Sequence, residues 1–297
     1  MNDSHPMASI VIRSKNEEAL LGETLSAIYA QTLQDFEVIL VDSGSSDRTL
    51  EIARQFPVKI IGIRPEDFSY GRALNIGCAA ARGEFLVFLS AHAVPLTTEW
   101  LAKLLSHFRE AQVAGVWGAE TTDPGTPPKV EVVHQDLAMF LKDFYFGICN
   151  FNAAIRRDIW REFLFDETIP YAEDKEWGHR VLNAGQLLIY DSTAYVFHNH
   201  RDNAFGIWHR AHKLHIAYAC FLDLPTVAVS SVLRIIYWEA LSLCRDSDSW
   251  KKRLGAFRVH LPRFMARQIG RYTGLRKGRS MARLPPQGKM FSGVSAP

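Results

Sequence analysis

Asp42 and Asp47 enclose the short stretch Ser43-Gly44-Ser45-Ser46, directly after the apolar run 36–41. Carboxylates on a loop at the end of a strand can hydrogen-bond a ribose or a base edge, or bind a cation. The plainer alternative is an Asx turn followed by a helix cap, which suits Asp47 better than a ligand role. His198 and His200 stand two residues apart after the run 187–197, a spacing that turns both imidazoles to one face of an extended chain. Neither Gly-x-Gly-x-x-Gly nor Gly-Lys-Ser/Thr occurs, which removes the dinucleotide-binding and P-loop readings.

These residues need elements to hold them. Residues 8–13 form a β-branched run that reads as a buried parallel strand. Residues 17–32 place Leu20, Leu21, Thr24, Leu25, Ile28 and Tyr29 at helical spacing. Further strands are expected at 36–41, 58–63 and 83–89, with helices carrying 49–55 and 68–82 between them. That alternation predicts βαβ units with right-handed crossovers and a mostly parallel sheet flanked by helices. Ligands bind such sheets at the carboxyl ends of the strands. That rule places residues 13–16, 42–47 and Ser90-Ala91-His92 on one rim. A helix over 97–112, strands over 113–119 and 187–197, and a strand within 147–157 that crosses back under the sheet complete the reading. From residue 203 the pattern turns helical and aromatic, so the expected domains are 1–201 and a helical extension, 202–297.

A chain of 297 residues can bury a full core. Four widely spaced cysteines without a Cys-x-x-Cys pair favour a reducing compartment over a disulfide framework. No secretory leader and no apolar window of about 18 residues is read, so the expected location is cytoplasmic. From Lys251 onward there are 12 Lys and Arg and no Asp or Glu, which makes the preceding part net acidic and the tail basic.

Taken together, Ala8-Ser-Ile-Val-Ile-Arg-Ser-Lys-Asn-Glu-Glu18, the segment from Phe36 to Thr49, Ala73-Leu-Asn-Ile-Gly77 and Ala80-Ala-Arg-Gly-Glu-Phe85 resemble, in order and spacing, a family 2 glycosyltransferase of the GT-A nucleotide-sugar fold. The resemblance covers roughly residues 8–200, and the stretch 68–75 looks most like bacterial rhamnosyltransferase-type members. It implies that Ser14, Asn16, Glu18 and Asp42 line a nucleoside pocket, that Arg72 and Asn75 lie near the diphosphate, and that Ala91 belongs to the donor side. Arg13 stands where the family usually has Pro, and a cation there could face phosphate. The resemblance also implies a divalent cation, Mn²⁺ or Mg²⁺, on an Asp-x-Asp motif. That motif is replaced here by Ser90-Ala91-His92. Imidazole suits borderline metals better than hard ones, and the resemblance implies a histidine near the end of the last strand completing the site, so His92 with His198 or His200 is the expected ligand pair. The alternative is a neutral His92 that donates to the diphosphate or fills the turn.

Glu173-Asp174 resembles the acidic pair that supplies the catalytic base, with Asp174 taking the acceptor proton and Glu173 binding acceptor or orienting the loop. Trp177 is expected to stack on a sugar or to join the core. The implied reaction is inverting transfer of a hexose, L-rhamnose being one candidate, from a nucleoside diphosphate donor to a saccharide or lipid-linked acceptor of a surface polysaccharide. Two rivals stand beside it: a nucleotide-sugar-binding scaffold without catalysis, and a nucleotidyltransferase, whose phosphate loop is missing. Basic and apolar residues mixed over 257–279 have the composition of an interfacial helix that meets a membrane surface. With an acidic remainder and no recognition motif, nucleic acid is not an expected partner.

Overall fold

Residues 8–12 are buried on both faces, as a strand covered by helices on either side must be, and the sheet is built outward from them. The computed structural model describes residues 5–199, 203–224, 228–245 and 250–282. These fall into two compact units, 1–200 and 201–297.

The first unit begins β1 (Ala8–Ser14), α1 (Leu21–Tyr29), β2 (Phe36–Asp42), α2 (Thr49–Ala53), β3 (Val58–Gly62), α3 (Tyr70–Ala79), β4 (Phe85–Ser90). It continues β5 (Val94–Pro95), α4 (Trp100–Ser106), β6 (Val113–Thr121), β7 (Val132–Gln135), α5 (Leu137–Lys142), β8 (Asn152–Arg156), α6 (Arg157–Glu162), α7 (Glu173–Asn183), β9 (Leu187–Phe197). The strands lie in the order β3-β2-β1-β4-β8-β6-β9, with β5 and β7 both pairing to β9. Among the described residues β1, β2, β3, β4, β6 and β9 share one direction, and β5, β7 and β8 oppose it. The expected mostly parallel sheet is therefore present. The strand expected to cross under it instead lies within it, antiparallel between β4 and β6.

Leu21, Leu25 and Ile28 of α1 join Ile10 and Ile12 in one core cluster. On the other face Gly77 lets α3 sit against β1, since a Cβ there would come within 2.4 Å of Val11 Cγ1. α1 is shorter than the sequence pattern suggests because the amides of Glu17 and Glu18 are drawn out to Thr49 and Asp47. The helix expected to reach residue 112 ends at Ser106 and tightens into a 3₁₀ turn. Beyond it the Arg156 guanidinium takes up the carbonyls of Phe108 and Glu110.

A buried asparagine sets the far end of the sheet. β6 and β9 lose register between Gly118 and Glu120, which leaves carbonyls there without strand partners. Asn152, with no exposed surface, donates to the carbonyls of Ala119 (3.0 Å) and Ala194 (2.8 Å) and accepts from the Trp100 indole (2.8 Å). The irregular register carries Glu120 to a place opposite Val196, two residues before His198.

The second unit holds α8 (Ala204–Phe221), α9 (Val229–Arg245) and α10 (Trp250–Ala282). Gly270, Gly274 and Gly278 of α10 lie against the backbone of α8, where a Cβ on Gly274 would meet the His212 carbonyl oxygen at 2.3 Å. Among the described residues no helix is long and apolar enough to cross a membrane.

Candidate active site

The carboxyl ends of β1 and β2 are stitched together by side chains. Asp42 is buried, and its carboxylate accepts from the amides of Gly44 (3.0 Å) and Ser45 (2.9 Å) and from the hydroxyls of Ser14 and Ser45. Gly44 supplies the left-handed φ of 86° that this turn needs. Asn16, itself at φ 56°, accepts from the Ser46 amide (2.8 Å), and its own amide donates to Ser45 Oγ (2.9 Å). Glu18 accepts from the Arg48 amide (3.0 Å) and gives its amide to Asp47 (3.1 Å). The four residues expected to line a nucleoside pocket thus form one rigid rim, in which Asp42 organises an Asx turn.

Next along the rim, the turn after β4 carries His92 and the end of β9 carries His198. His92 Nδ1 lies 3.0 Å from both carboxylate oxygens of Glu17, and His198 Nδ1 lies 2.6 Å from Glu120 Oε2. The two Nε2 atoms face each other at 3.2 Å, with the rings stacked at 5.0 Å and Phe151 stacked on His198 at 4.7 Å. A carboxylate acceptor at each Nδ1 assigns the Nδ1–H tautomer to both rings. Two Nε2 lone pairs then point at each other, an arrangement that needs a proton or a cation between them. Carboxylates behind metal-bound imidazoles are the usual outer shell of such sites, so this pair fits a divalent metal. Among the described residues no group of three or more His, Cys, Asp and Glu is placed to hold one; His92 and His198 are the described residues that would do so.

The third part of the rim comes from α7, which begins after Ala172 in the left-handed region at φ 59°. Glu173 is buried, and its Oε1 accepts from Arg13 Nη1 (2.9 Å) and from the Asn150 side chain (3.4 Å). Burial pushes the Glu173 carboxyl above its ordinary range, while the Arg13 guanidinium pulls it back. Arg13 also donates to the Tyr70 carbonyl (3.3 Å) and lies over the Tyr70 ring at 5.0 Å. Its charge is therefore engaged with Glu173. Asp174 is half-buried, accepting from the Asn150 amide (3.0 Å) and from the Lys175 amide (2.8 Å). Because the Ser90 amide donates to the Phe151 carbonyl (3.1 Å), Asp174 is fastened one residue from the point where β8 meets the His92 turn.

Several expectations change. Trp177 has no exposed surface and packs on Phe165 at 6.0 Å, so stacking on a sugar is excluded and its role is in the core. Ala91 buries its methyl group and gives its carbonyl to Thr24 Oγ1 (3.0 Å), which ties α1 to the turn and leaves no donor-facing atom on the side chain. Asn75 uses all four of its hydrogen-bonding positions on residues 160–167, so no diphosphate contact remains to it. Arg72 is exposed in the first turn of α3, with Asp67 nearby. His200 lies outside the described residues. Sequence reasoning passed over Glu17 and Glu120. Glu17 stands between two residues assigned to the rim and was within reach of inspection, whereas Glu120 owes its place to the lost register of β6 and β9.

The profile of Glycosyl transferase family 2 matches residues 9–164. The chain is 25% identical to the O-antigen chain rhamnosyltransferase WbaN of Salmonella anatum, over 94% of this chain and 91% of that one. It is 22% identical to the O-antigen chain rhamnosyltransferase RfbN of Salmonella typhimurium, over 93% and 91%. Among solved structures it is similar to the mannosyltransferase PcManGT of Pyrobaculum calidifontis in complex with GDP-Man and Mn²⁺. The TM-score is 0.65 and the identity 18%, over 93% of this chain and 88% of that one. That likeness carries the GT-A-type fold.

Proposed function

The chain belongs to glycosyltransferase family 2, and on that premise we propose that it transfers a hexose with inversion from a nucleoside diphosphate sugar to a saccharide or lipid-linked acceptor. The observation that supports this is the fastening of Asp174, a half-buried carboxylate, beside a rim that already carries a stitched nucleoside-type loop and a paired-imidazole site. Asp174 takes the proton of the acceptor hydroxyl. The oxygen forms a bond to the anomeric carbon on the face opposite the diphosphate, and the carbon–oxygen bond to the diphosphate breaks, its electron pair leaving with phosphate. Glu173 does not touch the acceptor in this reading. It holds the start of α7 through Arg13.

His92 and His198 would hold the divalent cation, Mn²⁺ before Mg²⁺ because both protein ligands are imidazoles. When bound, the cation offsets charge on the leaving diphosphate. Mn²⁺ titrated calorimetrically into the chain without nucleotide is expected to bind, and His92→Ala or His198→Ala to abolish that heat. Transfer indifferent to chelator, together with no Mn²⁺ heat, would instead leave the imidazoles as direct diphosphate donors.

Two relatives are named O-antigen chain rhamnosyltransferases, so the donor to test first is a nucleoside diphosphate L-rhamnose and the product a surface polysaccharide. We place the reaction on the cytoplasmic side, at the membrane surface reached by the basic C-terminal helices. A panel of nucleotide sugars screened by thermal shift is expected to give one donor that raises Tm by mass action. The same donor should release nucleoside diphosphate in the presence of acceptor. Stabilisation by a donor with no transfer to any acceptor would favour the scaffold reading.

A further inference from the structure

Between α8 and α10 runs an apolar groove of about 560 Å³ lined mainly by Phe205, Trp208, Leu261, Pro262, Met265 and Ile269. Phe205 is 69% exposed, Ile269 40% and Met265 36%. An uncovered run of large apolar side chains on a protein surface marks an interaction site. Its electrostatic setting narrows the partner. Neither α8 nor α10 contains an Asp or Glu, and Arg263, Arg267, Arg276 and Lys277 of α10 are all exposed. Arg276 follows Ile269 by seven residues, two turns further along the same face of α10, and Lys277 is next to it.

We propose that this groove face is the surface by which the protein lies on a bilayer of acidic phospholipid, with Phe205, Met265 and Ile269 entering the headgroup boundary and the α10 cations meeting lipid phosphates. Cations alone would give a contact erased by salt, and apolar side chains alone would not choose acidic lipid. The combination is that of an interfacial element. It is supplied here by two helices together, because the glycine face of α10 is spent on α8. The proposal rests on the reading of a membrane-side acceptor only for its purpose. It is tested without donor or acceptor, so the two can fail separately.

The full chain is mixed with phosphatidylcholine vesicles with and without phosphatidylglycerol, and binding is read by flotation at several salt concentrations. Binding is expected only with phosphatidylglycerol and should weaken as salt rises. It should fall about tenfold or more in Phe205→Ser/Met265→Ser and again in Arg276→Glu/Lys277→Glu. Circular dichroism should show unchanged helix content, because all four side chains are exposed. Equal binding to neutral vesicles would overturn the proposal, as would full binding by the Phe205→Ser/Met265→Ser variant. A dimer in solution that this variant dissolves would assign the groove to a second copy of the chain. Loss of binding in Leu233→Ser, with the groove variants unaffected, would move the surface to the exposed α9 stripe of Val229, Leu233 and Tyr237.

Discussion

Asp174→Asn is expected to lower the turnover of transfer by about 10² to 10⁴ while nucleotide binding stays near normal. The substitution is nearly isosteric, and the oxygen it keeps can still accept the Asn150 amide, although the Lys175 amide in the first turn of α7 then loses its side-chain acceptor. What is lost is the ability to take a proton from the attacking hydroxyl. Nucleotide affinity by calorimetry and turnover by release of nucleoside diphosphate separate the two effects. Turnover within a few-fold of the unaltered enzyme would remove Asp174 from the chemistry. A parallel loss of nucleotide affinity would show that the asparagine had disturbed the rim rather than the proton transfer.

Arg13→Ala should cost about 3 kcal/mol of folding stability near neutral pH, as expected when one partner of a buried ion pair is removed. The lower end of the usual range applies because the Arg13 side chain is 22% exposed against 5% for Glu173, so water screens part of the pair. The pH dependence follows from the direction of the Glu173 shift. Burial raises this carboxyl above its ordinary value of 4.5, and Arg13 is the leading influence that lowers it. An acid whose folded pKa is raised binds protons more tightly folded than unfolded, so stability falls as pH climbs from the ordinary value through the folded one. Without Arg13 the folded value climbs further and the window of loss widens upward. Denaturant unfolding should find Arg13→Ala close to the unaltered protein in mild acid and most destabilised at neutral pH. Adding Glu173→Gln should restore much of the loss. A pH-independent loss that the added Glu173→Gln does not relieve would mean that Arg13 acts through Tyr70 packing instead.

Much of this site was legible because local chemistry and strand order agree. The runs ending at Ser14, Asp42 and Ser90 are each mostly apolar before a polar turn, so topology alone brings those turns to one rim. Gly77 was visible as part of a motif, and its reason, the approach of α3 to Val11, is local packing. The residues that escaped depend on pairing between distant strands. β8 enters the sheet antiparallel, and no periodicity within 147–157 says on which side of β4 it will pair. Glu120 meets His198 only because β6 and β9 slip register around Asn152. Trp177 was left between sugar stacking and the core, because spacing can place a side chain on a helix face but not say whether that face meets solvent or core.

The hydrogen bonds that bind residues 14–18 to residues 42–49 have a thermodynamic consequence. A loop that orders only when its ligand arrives gives back part of the binding free energy as lost conformational freedom. Here both loops are already held by side chains from the opposite strand end, and each contains a residue at positive φ, Asn16 in one and Gly44 in the other. A nucleotide entering this rim would meet a surface that has little left to order. Its affinity would then be governed by how well its base and ribose match fixed polar atoms, which makes the rim a selector of nucleobase rather than an adaptable clasp.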